Sequence, residues 1–87
     1  MTDKASELAP LVQTKKEFQE FLVALAEDYK ANGTEWENSD IGLFLEALAS
    51  YAQDIDGYYK NTNQTINSNI PSWRVFAEML CGARVYE

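Results

Sequence analysis

Two short stretches of the sequence combine carboxylates with aromatic side chains, the residue types that most often contact a partner. The first stretch is Glu35, Trp36 and Glu37, and the second contains Asp54, Asp56, Tyr58 and Tyr59. Aromatic side chains supply much of the energy of protein interfaces, and carboxylates attract basic surfaces. We therefore expect these residues to bind a partner protein. The alternative is that Trp36 closes one end of a helical core and one tyrosine packs inward. The two tyrosines are adjacent, so the other should then be exposed.

Residues 54–57, Asp-Ile-Asp-Gly, are similar to part of an EF-hand calcium loop. With Gly57 at the sixth position of such a loop, Ala52 falls at the first position and Asn63 at the twelfth. The twelfth position requires a bidentate glutamate, so the full loop pattern is absent. The two aspartates remain isolated metal candidates, and calcium binding remains the alternative function. We predict no cofactor.

The side chains needed for catalysis are scarce. The chain has no histidine, so it lacks the usual general base near neutral pH and any Ser-His or Cys-His pair. The one cysteine, Cys81, follows Leu80 in an apolar helical stretch, which predicts a buried and inert thiol. We therefore expect a protein that is not an enzyme.

The charge balance bears on the kind of partner. Fourteen acidic and seven basic residues give a net charge of −7, which argues against binding to nucleic acid. The acidity serves either solubility alone or attraction of a basic partner. No apolar run is long enough for a membrane span, and the N-terminus lacks the order of a signal peptide. We expect a cytoplasmic protein that does not bind membranes.

Three segments place apolar residues at the spacing of one helix face, at about 15–31, 40–55 and 71–85. The sequence predicts an all-α fold, a small bundle of these three main helices, with room for one short extra turn at the N-terminus or at Tyr58–Lys60. The predicted core is Phe18, Phe21, Leu22, Leu25, Ile41, Phe44, Leu45, Leu48, Ile55, Trp73, Phe76 and Leu80.

The predicted helix ends rest on residues with known capping preferences. Thr14 and Glu17 have the spacing of a capping box, and Ser39 is a plausible N-cap for the second helix. Asn32-Gly33 and Asp56-Gly57 are expected to close the first and second helices.

The domain boundary is predicted near residue 14. Pro10 interrupts the few apolar residues that precede this boundary, so residues 1–13 are expected to be a loosely ordered leader. Residues 14–87 are expected to form a single helical domain.

Several motifs follow one another in a distinctive order along the chain: Glu35-Trp36-Glu37-Asn38, Phe44-Leu45-Glu46-Ala47, Asp56-Gly57-Tyr58-Tyr59, Pro71-Ser72-Trp73 and Tyr86-Glu87. This order resembles a family of short bacterial proteins known only as a domain of unknown function, over about residues 15–87. The resemblance implies a bacterial cytoplasmic protein whose natural end is Glu87. It implies no activity, ligand or catalytic residue.

A looser resemblance is to the immunity proteins of nuclease colicins, which are also acidic, similarly short and helical. Those proteins carry a Tyr-Tyr pair ahead of the last helix, and Tyr58 and Tyr59 occupy a comparable place here. The likeness is one of architecture, because the local sequence around the pair differs. The resulting hypothesis is a non-catalytic acidic interaction module that binds a basic partner. Its most concrete form is an inhibitor or immunity-type protein.

Overall fold

Helices account for all the regular structure in the described part of the chain, residues 3–86 of a computed structural model. The four α-helices are α1 (Lys4–Leu8), α2 (Lys15–Asn32), α3 (Ile41–Asn61) and α4 (Trp73–Ala83). Two 3-10 turns, Ala9–Leu11 and Gly33–Glu35, follow α1 and α2. The predicted all-α class is confirmed. The structure has four helices, where three main ones and room for one short extra turn at the N-terminus or at Tyr58–Lys60 were expected.

The additional helix lies in the segment expected to be a loosely ordered leader. Asp3 caps α1, because its Oδ1 accepts a hydrogen bond from the Ser6 amide at 2.8 Å. Three residues of the segment, Ala5, Ala9 and Val12, are buried against α2 and α4. They follow the i, i+4, i+7 spacing of a helix face. This pattern is hard to recognise in the sequence because two of the three residues are alanines, which are only weakly hydrophobic. The segment is therefore packed from Asp3 onward, and residues 1 and 2 lie outside the described residues.

The start of α2 agrees with the predicted capping box. Thr14 Oγ1 accepts a hydrogen bond from the Glu17 amide at 3.1 Å, and Glu17 Oε1 accepts one from the Gln13 amide at 2.8 Å. The end of α2 differs from expectation. Gly33 has a right-handed backbone with φ of −58°, so the chain continues into a 3-10 turn instead of reversing through a left-handed residue.

The start of α3 is capped by Asp40 and not by Ser39. Asp40 Oδ1 accepts a hydrogen bond from the Leu43 amide at 2.8 Å. A carboxylate at this position also interacts favourably with the positive end of the helix dipole. Asp40 therefore has a structural role as well as an exposed negative charge.

The end of α3 lies beyond the predicted one, because the helix continues through Gly57 to Asn61. Tyr59 is buried one turn after Ile55, and burying a large side chain stabilises by more than the ~1 kcal/mol that a helical glycine costs. The left-handed residue that ends the helix is Asn63, with φ of 59°.

The central element of the fold is α4, whose Ser72 cap accepts a hydrogen bond from the Val75 amide at 3.1 Å. It packs against α2 and, more extensively, against α3, whereas α2 and α3 have no comparable contact with each other. The core is consequently divided into two clusters. One joins α1, α2 and α4, and the other joins α3 to α4 through Ile55, Tyr59 and Val75.

Burial of the predicted core residues differs from expectation, most of all on the sides of α2 and α3 that do not pack on α4. Phe21, Leu25 and Ile55 are buried as expected, and four more are half-buried, namely Phe18, Phe44, Leu48 and Leu80. The remaining five predicted core residues are exposed, and they are Leu22, Ile41, Leu45, Trp73 and Phe76. The apolar stripe at the start of α3 was expected in the core, but this part of the helix does not pack closely against α2.

The close approach of α3 and α4 depends on a glycine. A Cβ atom built on Gly82 would overlap the ring of Tyr51, whereas one built on Gly57 would meet nothing within 4 Å. The two glycines lie in adjacent helices. Replacing Gly82 therefore tests the packing of α3 on α4, whereas replacing Gly57 tests helix propensity alone.

We expect Gly82→Ala to reduce the free energy of unfolding by about 1–3 kcal/mol, the usual effect of overpacking. Gly57→Ala should increase it by roughly 0.5–1 kcal/mol, because alanine favours the helix and fits the space. Urea unfolding followed by circular dichroism measures both. Changes of the same sign would contradict the close contact between α3 and α4.

A second pair of variants tests the two-cluster core. Phe21 is fully buried and Leu45 is 55% exposed. Phe21→Ala should therefore lower the free energy of unfolding by about 3–5 kcal/mol, whereas Leu45→Ala should lower it by less than about 1 kcal/mol. Equal losses in a urea titration would show that α3 packs on α2 after all.

Candidate functional site

Arg84 lies buried where the end of α4 meets the N-terminal segment and α2. Its Nη1 donates to Asp28 Oδ2 at 2.9 Å and lies 3.2 Å from Asp3 Oδ2. Its Nη2 donates to Ser6 Oγ at 2.9 Å, and its Nε donates to the Cys81 carbonyl at 2.9 Å. We refer to these residues together as the Arg84 network.

The electrostatics of the Arg84 network keep both of its carboxylates ionised. Burial acts to raise the pKa of Asp28, but hydrogen bonds from Trp36, Asn32 and Arg84 outweigh it and lower the pKa below its usual value. Burial likewise opposes ionisation of Asp3, and its bond from the Ser6 amide and the charge of Arg84 lower its pKa. The guanidinium therefore has two negative partners.

The same carboxylate of Asp28 also fixes the indole of Trp36. Trp36 Nε1 donates to Asp28 Oδ2 at 2.8 Å, and the Arg84 guanidinium carbon lies 5.9 Å from the centre of the Trp36 ring. The indole meets the ring of Tyr29 edge-on at 5.1 Å and stacks on Phe44 at 5.9 Å between centroids. Trp36 thus connects the Arg84 network to the aromatic residues between α2 and α3.

An open groove of about 410 Å³ lies between α2 and the start of α3, and we call it the α2–α3 groove. Its lining residues are Leu22, Leu25, Ala26, Tyr29, Trp36, Asn38, Ser39, Asp40, Ile41 and Phe44. Asp40 is the one charged residue of the lining. Glu35 and Glu37, on either side of Trp36, are both exposed. The first predicted stretch therefore contributes Trp36 to the lining of an apolar groove, and its two exposed carboxylates flank that residue in the chain.

The second predicted stretch is only partly accessible. Tyr59 is 1% exposed, and its hydroxyl donates to Glu78 Oε1 at 2.8 Å, an atom that also accepts from Arg74 Nε at 3.0 Å. The expectation that Tyr59 contacts a partner is therefore wrong, because a buried side chain cannot reach one. Tyr58 is 42% exposed, so one tyrosine of the pair is indeed at the surface.

The two aspartates of the second stretch have hydroxyl partners. Asp54 accepts a hydrogen bond from the Tyr86 hydroxyl, and Asp56 accepts one from Ser68 Oγ. Residues two apart on a helix do not share a face, so these two carboxylates do not converge on one point. Between residues 3 and 86, no group of three or more histidine, cysteine or acidic side chains could hold a metal ion. The structure therefore adds no support for calcium binding.

The structure does not bring the two predicted stretches together. Phe44 stacks on Trp36, and Tyr58 follows Phe44 by fourteen residues of α3, or about 21 Å along the helix axis. Two separate surfaces result. The groove beside Trp36 is apolar and open, whereas Tyr58, whose ring packs on buried Tyr59, lines a separate open cavity of about 490 Å³ together with the charged residues Arg74 and Glu78.

Comparison with known proteins agrees with the resemblance seen in the motifs. A family model described as a family of unknown function (DUF7660) matches residues 14–87. The chain belongs to this family. No curated protein and no solved structure matches the chain. The DUF7660 match starts at Thr14, so the segment that holds Asp3 and Ser6 precedes the matched region and packs on it through Arg84.

Sequence reasoning did not find the buried polar residues of this DUF7660 chain. Arg84 shares a helix face with Leu80, and a charged residue on an apolar face was the available signal. Glu78 and Asp28 gave no such signal, since acidic residues are common on helices. Cys81, predicted to be buried, is half-buried, and its Sγ lies 2.9 Å from Arg84 Nη2.

None of the helices between residues 3 and 86 combines the length and apolar composition needed to cross a membrane.

The lowered pKa of Asp28 predicts how stability depends on pH. A carboxyl whose folded pKa lies below its unfolded value of 3.8 stabilises the fold above about pH 4, and this stabilisation is lost as the pH falls through the folded pKa. Asp28→Asn should be less stable than the parent by about 3 kcal/mol at pH 7, because Arg84 loses a buried partner. The difference in the free energy of unfolding between the parent and the Asp28→Asn variant should be smaller at pH 3. Urea midpoints at pH 7, 5 and 3 measure it, and a constant difference would contradict the ionised state of Asp28.

Proposed function

We propose that this DUF7660 chain is a non-catalytic interaction module that binds a basic partner protein, most concretely as an inhibitor or immunity-type protein. The α2–α3 groove is the observation that carries the proposal. An open apolar surface with an indole in its lining is typical of a protein-binding site. Solubility alone accounts for acidic residues but not for Trp36, Tyr29 and Ile41 in the lining of one groove.

The distribution of charge supports a basic partner. Both arginines form ion pairs within the chain, the buried Arg84 with Asp3 and Asp28, and the half-buried Arg74 with Glu78. The remaining charged residues of the sequence are eleven acidic side chains and five lysines. The exterior is therefore strongly acidic, and such a surface accelerates encounter with a basic protein.

The absence of histidine from the sequence supports a non-catalytic role. The buried ionisable side chains also have structural partners. Asp28 and Arg84 hold each other and Trp36, and Glu78 accepts hydrogen bonds from Tyr59 and Arg74. A bacterial cytoplasmic location is part of the proposal and rests on the motif order and the single cysteine of the sequence.

The proposal predicts a partner whose binding depends on salt and on the carboxylates beside Trp36. Immobilised protein should capture, from a lysate of the native host, a basic protein that is released as salt rises from about 50 to about 300 mM. The purified partner should associate roughly 3–10 times more slowly with a Glu35→Gln/Glu37→Gln variant.

A matched control is Glu20→Gln/Glu27→Gln, which removes the same charge from exposed positions of α2 that do not line the groove. It should slow association much less. Equal rates for the two variants, or the capture of acidic proteins that salt does not release, would overturn the proposed function.

A further inference from the structure

We infer that the α2–α3 groove receives an amphipathic basic helix of the partner protein, an inference that rests on the proposed function. Part of the apolar lining of the groove stays exposed because α3 packs on α4 and not on α2. Ile41 is 73% exposed, and Leu22 and Tyr29 are also exposed. These residues belong to stripes that would normally be buried by a further helix.

The groove is preformed, because the connector between α2 and α3 is fixed on both sides. The Tyr29 hydroxyl donates to the Ser39 carbonyl at 3.0 Å. The Asn38 side-chain amide donates to the carbonyls of Ala83 and Tyr86 at 2.9 and 2.8 Å, and the Asn38 backbone amide donates to the Arg84 carbonyl at 3.0 Å. A rigid groove binds without first losing conformational freedom, which favours affinity.

The shape of the groove and its backbone chemistry favour a helix as the occupant. Leu22 and Tyr29 lie two helical turns apart on α2, about 10 Å, which matches the i, i+3, i+4, i+7 stripe of a docked helix. Two walls of the groove are helices whose backbone groups bond within the helix, and the connector between them contains no strand, so the lining offers no strand edge to an extended peptide. A segment buried here must satisfy its own backbone, as a helix does.

The charge of the groove favours a basic occupant over a second copy of this chain. The lining contains the carboxylate of Asp40 and no lysine or arginine, and Glu37 is exposed next to it. Lysine or arginine at the edge of a docked helix would meet these carboxylates and the exposed ring of Tyr29. Two copies, each with a net charge of −7, would instead place like charges against each other.

A synthetic peptide tests the inference directly. The probe is a fluorescent peptide of about 16 residues with leucines at the i, i+3, i+4, i+7 positions and lysines elsewhere, and its control is a scrambled peptide of the same composition. Fluorescence anisotropy should show that the parent protein binds the amphipathic peptide at least about tenfold more tightly than the scrambled one.

Two exposed isoleucines provide the matched variants. Ile41 lines the groove and is 73% exposed, whereas Ile70 is 63% exposed and does not line it, so either can be replaced without loss of the core. Ile41→Lys should weaken binding of the amphipathic peptide about tenfold, because it removes an apolar contact and adds a like charge. Ile70→Lys adds the same charge and should change binding by less than about twofold.

The outcomes separate this inference from the proposed function. Equal binding of the two peptides, or equal effects of Ile41→Lys and Ile70→Lys, would overturn docking in the groove and leave an acidic surface that attracts basic proteins. Sedimentation that shows a dimer of the parent, dissociated by Ile41→Lys, would overturn it by assigning the groove to a second copy. A native host that supplies no basic partner would instead remove the proposed function.

Discussion

The guanidinium of Arg84 must be surrounded by hydrogen-bond acceptors, because burying it without them would be strongly unfavourable. The acceptors come from three parts of the chain: Asp3 and Ser6 before α2, Asp28 within α2, and the Cys81 carbonyl in α4. One side chain therefore fixes the N-terminal segment, α2 and α4 relative to one another. The small hydrophobic core of such a short chain benefits from a polar network that determines a single arrangement.

The position of the groove follows from the same network. Asp28 accepts hydrogen bonds from both Arg84 and Trp36, so the indole is held at the end of α2 and stacks on Phe44 at the start of α3. This contact supports the start of α3 away from α2. The rest of α3 packs against α4, where Gly82 allows the close approach of Tyr51. Two helices that pack on a third, and not on each other, leave apolar side chains at an open surface.

The sequence predicted the parts of the fold that depend on local interactions. The Thr14 and Glu17 capping box and the helical class follow from neighbouring residues, and both are confirmed. The prediction from sequence failed where contacts between residues far apart in the chain determine the structure. Gly57 remains helical because Tyr59 is buried against α4, and Ile41 is exposed because α2 is too far away, neither of which an apolar stripe can reveal. Of the candidate site, Trp36 and its flanking glutamates lie beside the groove, whereas Tyr59 is in the core.

The two arginines of the chain serve its internal ion pairs, whereas the surface keeps the acidic excess of the sequence. Arginine holds its partners through a planar fork that lysine lacks, so the two arginines are the cations suited to buried networks. Arg84 is buried and Arg74 is half-buried, so the exposed basic side chains among residues 3–86 are lysines, and exposed carboxylates outnumber them. Arg84 is not the source of this acidity, because it pairs with two carboxylates, but together with Asp28 it positions Trp36 in the groove. In the proposed interaction, the long-range attraction of a basic protein therefore rests on the acidic excess of the sequence, whereas the short-range apolar site depends on the buried Arg84 network.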